Sequence, residues 1–573
     1  MEKLQTFLKN FLIKQAAFVA FIFTMDTVAN LLALIIPLSM AQAYTTLFGI
    51  HSSRGRLLES WGLLSENSSL FWMQLLGICI VLKLVADYLK ERQRGILGES
   101  LTFALRSLLY QHQVHLHQAH YEEKGIGRFL LRFSGDLDST RNFITLGVIR
   151  FTSDIMLLIL GLVFIMAIDI RLGVIILLIL VLLTLFIGYF NHIAGQIELD
   201  RRNKKSGLLT FVNHSLNSSA TIKAFNKEQP MLQRFEKKAG KIKQQGIDYF
   251  KWASVSGAAV TFGTYLTIWL TLGIIFFIKS DHSSFDVGRF FAIVLILLSW
   301  RGVLSRTFRV GLIWKKGLIS WKKLAALLDK ETESNMAHPI KQLPAFPLRI
   351  KNLGLHLDGR HLFSRINCKL FPGEILLLHG PANSGKTAFV KLLAGIYTPT
   401  TGHFQLGDAN ALEHHPKAWR RRLTFISNSF PLTGQNVFQA ISYGQSARHQ
   451  EKAEKCLLEW QKRFPVLDNL TLDTPLNDFN GHLSQSQIRL LMWMRAILSQ
   501  KKIIVVDEPW QGLDEALAKS LAAWIRQNQN QYLWIMLSSQ PEALSKHGIK
   551  AKKSIALVQP GIIDLKKKQV AGQ

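Results

Sequence analysis

The sequence predicts an all-α, six-helix transmembrane domain followed by an α/β domain built around a glycine-rich loop. Three observations carry this prediction. Six apolar runs fall within the first 310 of 573 residues. One motif, Gly380-Pro381-Ala382-Asn383-Ser384-Gly385-Lys386-Thr387, stands between a strand pattern and a helix pattern. Strand and helix patterns then alternate almost to the end of the chain, as an α/β domain requires.

The first run, Ala16–Met40, is broken only by Thr24, Asp26, Thr27, Asn30 and Ser39. Leu70–Ala86, Ile144–Ala167, Leu172–Tyr189, Trp252–Ile278 and Phe290–Trp300 follow. Most approach the roughly 20 residues that a helix needs to cross a bilayer. The last reaches that length by extending through Val303 and Leu304 and tolerating Arg301. No signal peptide is expected, because the first run is long, lacks a small-residue cleavage site and is followed by five more.

The formal charge of +29 invites a nucleic-acid reading, but its distribution points to a membrane. Residues 194–252, between the fourth and fifth runs, hold 12 Lys/Arg against 5 Asp/Glu. Lys315-Lys316 and Lys322-Lys323 lie beyond the sixth run. The positive-inside rule makes these segments cytoplasmic, and six spans then put both termini there too. The basic stripe lacks interleaved aromatics for stacking on bases, so no nucleic-acid partner is expected. Some of the charge faces anionic lipid headgroups. Cys79, Cys368 and Cys456 are too scattered for a metal site or a disulfide framework.

The outer connections read as short: Leu47–Ser69 is the longest, Asp169–Arg171 is a tight turn, and Lys279–Asp286 is polar. The inner connections, 91–142 and 194–252, are long and helically periodic, so the membrane helices should continue past the bilayer. The polar, proline-containing stretch Glu331–Pro347 is the expected linker. It divides a transmembrane domain, 1–330, from a nucleotide-binding domain, 348–573.

The motif at 380–387 follows the apolar run Glu374–His379 and precedes Ala388–Ala394, which reads as an amphipathic helix. Strand, Gly-x4-Gly-Lys-Thr, helix is the phosphate-binding loop of nucleotide triphosphatases. Backbone N–H groups between Gly380 and Ala388, Pro381 having none, would form an anion nest where the helix dipole also favours negative charge. Lys386 would reach the β- and γ-phosphates of ATP or GTP, and Thr387 would offer its hydroxyl to Mg2+. Lys501–Glu508 is an apolar strand ending in two acids. With a phosphate loop upstream, Asp507 is the expected Mg2+ ligand and Glu508 the expected general base. Without one, the same residues would be a buried strand with a solvated acidic end.

Here the chain resembles the ABC transporters. Leu483-Ser484-Gln485-Ser486-Gln487 stands where that family has LSGGQ, and Arg495-Ala496 follows at the family spacing. Asp507–Asp514 looks like the second acidic motif with its D-loop, and Leu392–Gly402 matches the segment after the phosphate loop. Six spans ahead of a nucleotide domain is the layout of an exporter half-transporter. Asn30–Tyr44 and Leu298–Leu304 are similar to the first and sixth spans of type I secretion ATPases. That resemblance implies ATP with Mg2+, a homodimer or a heterodimer with a second half-transporter, and an inner-membrane location. It also suggests polypeptide cargo with a periplasmic adaptor and an outer-membrane channel, and leaves lipid or small hydrophobic cargo open.

Several positions depart from the family pattern. Gln485 and Ser486 replace glycines that let backbone approach a nucleotide on the opposing subunit. Asn428 stands for the Q-loop glutamine, one methylene shorter. Ser539 stands for the switch histidine and cannot carry its positive charge. Leu357 stands where an aromatic ring stacks on adenine. Asn383 replaces a glycine in the phosphate loop, a milder change because Asn tolerates left-handed backbone. The resemblance therefore implies intact loading and slow phosphoryl transfer. It leaves open a weakly hydrolysing or non-hydrolysing partner subunit.

Polar residues within the spans allow a pathway or a structural reading. Asp26 and Asn30 share one helix face, and Lys83 and Asp87 form an i,i+4 pair. Asp154 and Arg301 lie in spans three and six. Arg301 is expected to pair with Asp154 or Asp26, and Asp26 is the residue most open to a pathway role.

Overall fold

The structure, a computed structural model, describes residues 2–47, 69–117, 120–121, 129, 132–279, 287–330, 332, 343–344, 346–357, 360–414, 416–443, 449–476, 482–542 and 544–557. Most of the connections predicted at 47–69 and 279–286, and most of the linker at 331–347, lie outside the described residues. The chain divides into two compact units. One is Met1–Gln113 with Gly127–Lys330, and the other is Val114–Ile126 with Glu331–Gln573. Leu116 forms an antiparallel bridge with Thr332 within the second unit.

The first unit is helical. A short helix α1 (Glu2–Lys14) precedes α2 (Ala16–Leu47), α3 (Ser69–Val114) and α4 (Leu137–Ile168), the last with a π-helical stretch at Phe143–Arg150. Then come α5 (Ile170–Asn217), α6 (Glu228–Lys279) and α7 (Val287–Leu328). Among the described residues, six helices, α2 to α7, are long and apolar enough to cross a membrane. At 1.5 Å per residue α5 is about 72 Å long, more than twice the hydrocarbon thickness of roughly 30 Å. The expected continuation of the spans beyond the bilayer is therefore present. Asp169 makes the turn into α5, its carboxylate accepting from the N–H groups of Arg171 (2.8 Å) and Leu172 (3.3 Å).

α7 is central to this unit. Its Ile293, Ile296, Leu297, Trp300, Val303 and Leu304 are buried against Leu157 and Ile165 of α4 and Leu172 and Ile176 of α5. Gly161 permits the approach, since a Cβ there would lie 2.5 Å from the Trp300 ring. By contrast Leu178, Val181, Leu182 and Leu185 of α5 are exposed, an apolar surface suited to lipid.

The intramembrane charges pair differently from expectation. Asp26, almost fully buried, accepts from Arg94 Nη2 at 3.2 Å and lies 3.6 Å from Lys90 Nζ, both on α3. Asp154 pairs with Arg306 at 3.0 Å. Arg301 is exposed and pairs with neither aspartate. Sequence spacing could not choose among arginines one or two turns apart on α7. Lys83 and Asp87 do pair, at 2.7 Å, and Asn30 donates to Ser153 O at 3.1 Å. Asp26 and Asp154 thus each tie one helix to another, whereas Asp87 pairs within α3.

The α/β part of the second unit holds two sheets. An antiparallel sheet orders β2 (Arg360–Leu370), β1 (Leu348–Leu357), β4 (Thr401–Leu406) and β5 (Ala409–Asn410). A parallel sheet orders β6 (Leu423–Ile426), β7 (Ile503–Asp507), β8 (Leu533–Ser538), β3 (Ile375–His379) and β9 (Lys553–Ala556). Ile503–Val506 and all of β8 are buried, which is why they read as continuous apolar runs. Four helices concern the site: α8 (Lys386–Leu393), α9 (Gln450–Arg463), α10 (Gln485–Leu498) and α11 (Glu515–Asn528). Ligands in such sheets bind outside the carboxyl ends of the strands. β3 and β7 flank β8 there and deliver the two sequence motifs side by side.

Candidate nucleotide site

β3 ends at His379 and the chain turns through Gly380–Gly385 into α8. Two residues of this turn are left-handed, Asn383 (φ 63°) and Gly385 (φ 89°). Asn383 adopts the conformation a glycine would take there, as anticipated. A Cβ at Gly380 would meet Ser384 Oγ at 2.6 Å and Leu557 O at 2.7 Å. Pro381, Ala382 and Asn383 form the exposed rim, Ser384 is buried with a hydroxyl that has no partner among the described residues, and Ala388 packs on the core. Lys386 Nζ donates to Gly380 O (2.7 Å) and Pro381 O (3.0 Å), so the buried ammonium closes the loop on itself.

Asp507 ends β7 opposite this loop. Its Oδ2 accepts from Thr387 Oγ1 at 3.4 Å and from Ser427 Oγ at 3.0 Å. Two hydroxyls and a carboxylate are a hard oxygen set that fits Mg2+. No cluster of three His, Cys, Asp or Glu exists among the described residues, so such an ion would need phosphate oxygens to complete its shell. Glu508 follows in left-handed conformation (φ 50°). Its carboxylate lies 3.8 Å from Lys386 Nζ and accepts from Ser538 Oγ (3.5 Å) and Ser539 Oγ (3.4 Å). Ser539 thus stands against Glu508, as a neutral donor.

The other singled-out residues make contacts of their own. Asn428 Nδ2 donates to Gln511 Oε1 at 3.3 Å. Ser484 caps α10 in a full capping box with Gln487: the Gln487 N–H donates to Ser484 Oγ, and the Ser484 N–H donates to Gln487 Oε1. Gln487 Nε2 reaches Val466 O and Asn469 Oδ1. Gln485 and Ser486 are the first two helical residues, and neither has a positive φ. No backbone strain therefore demands glycine there within this subunit. Gln485 is exposed, while Ser486 Oγ donates to Gly512 O at 2.7 Å. Leu357 ends β1, pairs with Arg360 and packs against the sheet core.

Three residues of the site escaped the sequence reading. Ser427 sits at the end of β6 beside Asn428, where a polar residue closing a parallel strand was the available signal. Ser538 ends β8 in the same way. Arg489 is buried on α10, and its Nη2 donates to both Asp507 O and Glu508 O at 2.5 Å. Burial pushes its guanidinium down to about 10, against the pull of Asp507 and Glu508. A lone charge in the apolar stretch Ile488–Met494 was its signal.

Six membrane-length helices in one unit, with a phosphate loop facing an acidic strand end in the other, define a nucleotide-dependent multi-pass membrane protein. The chain belongs to the ABC transporters: residues 19–302 match the family profile described as ABC transporter transmembrane region, and 363–511 the one described as ABC transporter. It is an exporter-type half-transporter with an ABC-type ATPase domain. It is similar to an ATP-dependent lipid A-core flippase of Salmonella paratyphi A, 20% identical over 87% of this chain and 86% of that protein. It is also similar to a multidrug resistance ABC transporter ATP-binding and permease protein of Lactococcus lactis, 22% identical over 73% of this chain and 72% of that one. A lipid A-core flippase of Paraburkholderia xenovorans is 22% identical, covering 78% and 76% of the two chains.

Proposed function

We propose that this chain is an ATP-hydrolysing exporter subunit of a bacterial cytoplasmic membrane, with both termini and the nucleotide domain in the cytoplasm. Residues 1–330 form the transmembrane domain, 331–347 the linker and 348–573 the nucleotide-binding domain. The backbone of Gly380–Ala388 and Lys386 hold the β- and γ-phosphates of ATP. Thr387 and Asp507 hold Mg2+, which when bound neutralises phosphate charge. Glu508 orients and deprotonates the attacking water. The observation that carries this reading is the Glu508 carboxylate 3.8 Å from Lys386 Nζ, across the mouth of the phosphate loop. Two half-transporters form the working unit, and the difference in ATP contacts between open and closed pairs drives the switch.

Measuring ATP turnover by the purified chain with and without Glu508→Gln tests this. We expect a fall of about 100- to 10,000-fold, the usual contribution of a general base. Equal rates would remove the hydrolytic role.

A second reading, a slow partner in a heterodimer, draws support from the exposed Gln485 at the start of α10 and the neutral Ser539 beside Glu508. A more complete partner could supply its own signature to Lys386 and Glu508. Cargo has two supports. The span-one motif Asn30–Tyr44 favours a polypeptide exported through a periplasmic adaptor and outer-membrane channel. The names of the similar flippases favour an amphiphilic lipid. Stimulation of ATP turnover by lipid A or by an unfolded polypeptide distinguishes them.

A further inference from the structure

α10 grips the acidic loop that follows β7 at both ends. At the near end Arg489 Nη2 donates to two successive carbonyls, Asp507 O and Glu508 O. At the far end Ser486 Oγ donates to Gly512 O, and a Cβ added at Gly512 would stand 3.3 Å from Gln485 Cβ. The loop between is bent, with Glu508 and Gly512 both left-handed (φ 50° and 78°). A left-handed glutamate is disfavoured and persists only where its surroundings hold it. The hold comes from three contacts: Arg489 grips the carbonyls, the Glu508 N–H donates to Leu537 O at 2.8 Å, and the Gln511 N–H donates to Glu508 O at 3.1 Å.

Arginine is a costly residue for this place. Its side chain is 3% exposed, and its Nε and Nη1 are buried with no partner among the described residues. A leucine or methionine beside Leu490, Leu491 and Met492 would fill similar space without desolvating a charge. What a guanidinium adds is a rigid, planar donor that one nitrogen can share between neighbouring carbonyls. Lys386, the other cation near Glu508, is already bonded to Gly380 O and Pro381 O. The hydroxyls of Ser538 and Ser539 touch the Glu508 carboxylate but not its backbone.

We propose that Arg489 is a positioning residue for Glu508, and that with Ser486 it clamps the acidic loop to α10 so that the two move as one body. This rests on Glu508 being the catalytic base. The clamp carries any tilt of α10 into the position of the Glu508 carboxylate over the phosphate loop. A displacement near 1 Å at a reacting group costs about 100-fold in rate.

The test uses the full-length protein in lipid nanodiscs, comparing wild type, Arg489→Leu, Arg489→Lys, Ser486→Ala and Glu508→Gln. Arg489→Leu should lower kcat about 100-fold with KM for ATP within about twofold, and Arg489→Lys should regain about tenfold. Amide hydrogen exchange over 508–512 should rise about tenfold in Arg489→Leu and Ser486→Ala, with β8 and α11 unchanged. An arginine that merely filled space would loosen the whole domain or raise KM alone. Unchanged kcat in Arg489→Leu, or unchanged exchange over 508–512, overturns the proposal while leaving Glu508 as base. Should Arg489→Leu fail to fold, Arg489→Gln and Ser486→Ala supply both readouts. Equal turnover by wild type and Glu508→Gln overturns the positioning role together with the reading it rests on.

Discussion

The two halves of the proposed nucleotide site are built differently. The loading half is local: Gly380–Ala388 is one continuous turn and helix start, closed by Lys386 on its own carbonyls. Its remote partners are strand ends: Asp507 meets Thr387, Glu508 lies 3.8 Å from Lys386 Nζ, and Ser538 O accepts from the Gly380 N–H at 3.2 Å. The transfer half is gathered from four places. Ser427 and Asn428 follow β6, Glu508 follows β7, Ser539 follows β8, and Gln485 and Ser486 open α10, where the resemblance implies approach to the opposing subunit's nucleotide. The loading half keeps the residue types its chemistry needs. The transfer half carries the neutral side chains of Asn428, Gln485, Ser486 and Ser539 where the resemblance to ABC transporters implies charge and backbone access. Holding a triphosphate needs an anion nest, whereas transferring its γ-phosphoryl needs several donors placed together. The second requirement is the easier to erode piece by piece.

Three experiments would break or sharpen that contrast. The largest effect is expected on the loading side. Lys386→Ala should lower ATP turnover about 1000-fold, since it removes the ammonium that reaches the phosphates. Turnover near wild type would show that the loop is not the working site. On the transfer side, the combined change Asn428→Gln, Gln485→Gly and Ser539→His, which leaves the Ser486 hydroxyl in place, should raise turnover about 100-fold, the worth of one restored donor or more. No gain in a steady-state assay would mean that the slow step lies elsewhere. The smallest effect belongs to the scaffold between them. Ser484→Ala removes the α10 cap and should cost about 1 kcal/mol, read as a lower melting temperature of the nucleotide domain.

How much could be read in advance follows the same division. The phosphate loop, the acidic strand end and the six spans announce themselves because each is written in consecutive residues with its own period or motif. The left-handed turn at Asn383 was legible for the same reason. The pairing of the intramembrane charges was not. Asp154 chose Arg306 over Arg301, and Asp26 chose Arg94 and Lys90, because helix rotation and depth decide which side chains meet.

From its sequence alone, then, this chain specified a six-span membrane unit, an α/β nucleotide domain and the residues of the phosphate loop. These depend on hydropathy and local backbone chemistry, which act between near neighbours in the chain. Only the tertiary structure brought Ser427 to Asp507, Ser539 to Glu508 and the buried Arg489 beneath both acids. Such contacts join strand ends and helix faces 18 to 80 residues apart. Their geometry is fixed by how the sheet stacks its strands, which no stretch of sequence states by itself.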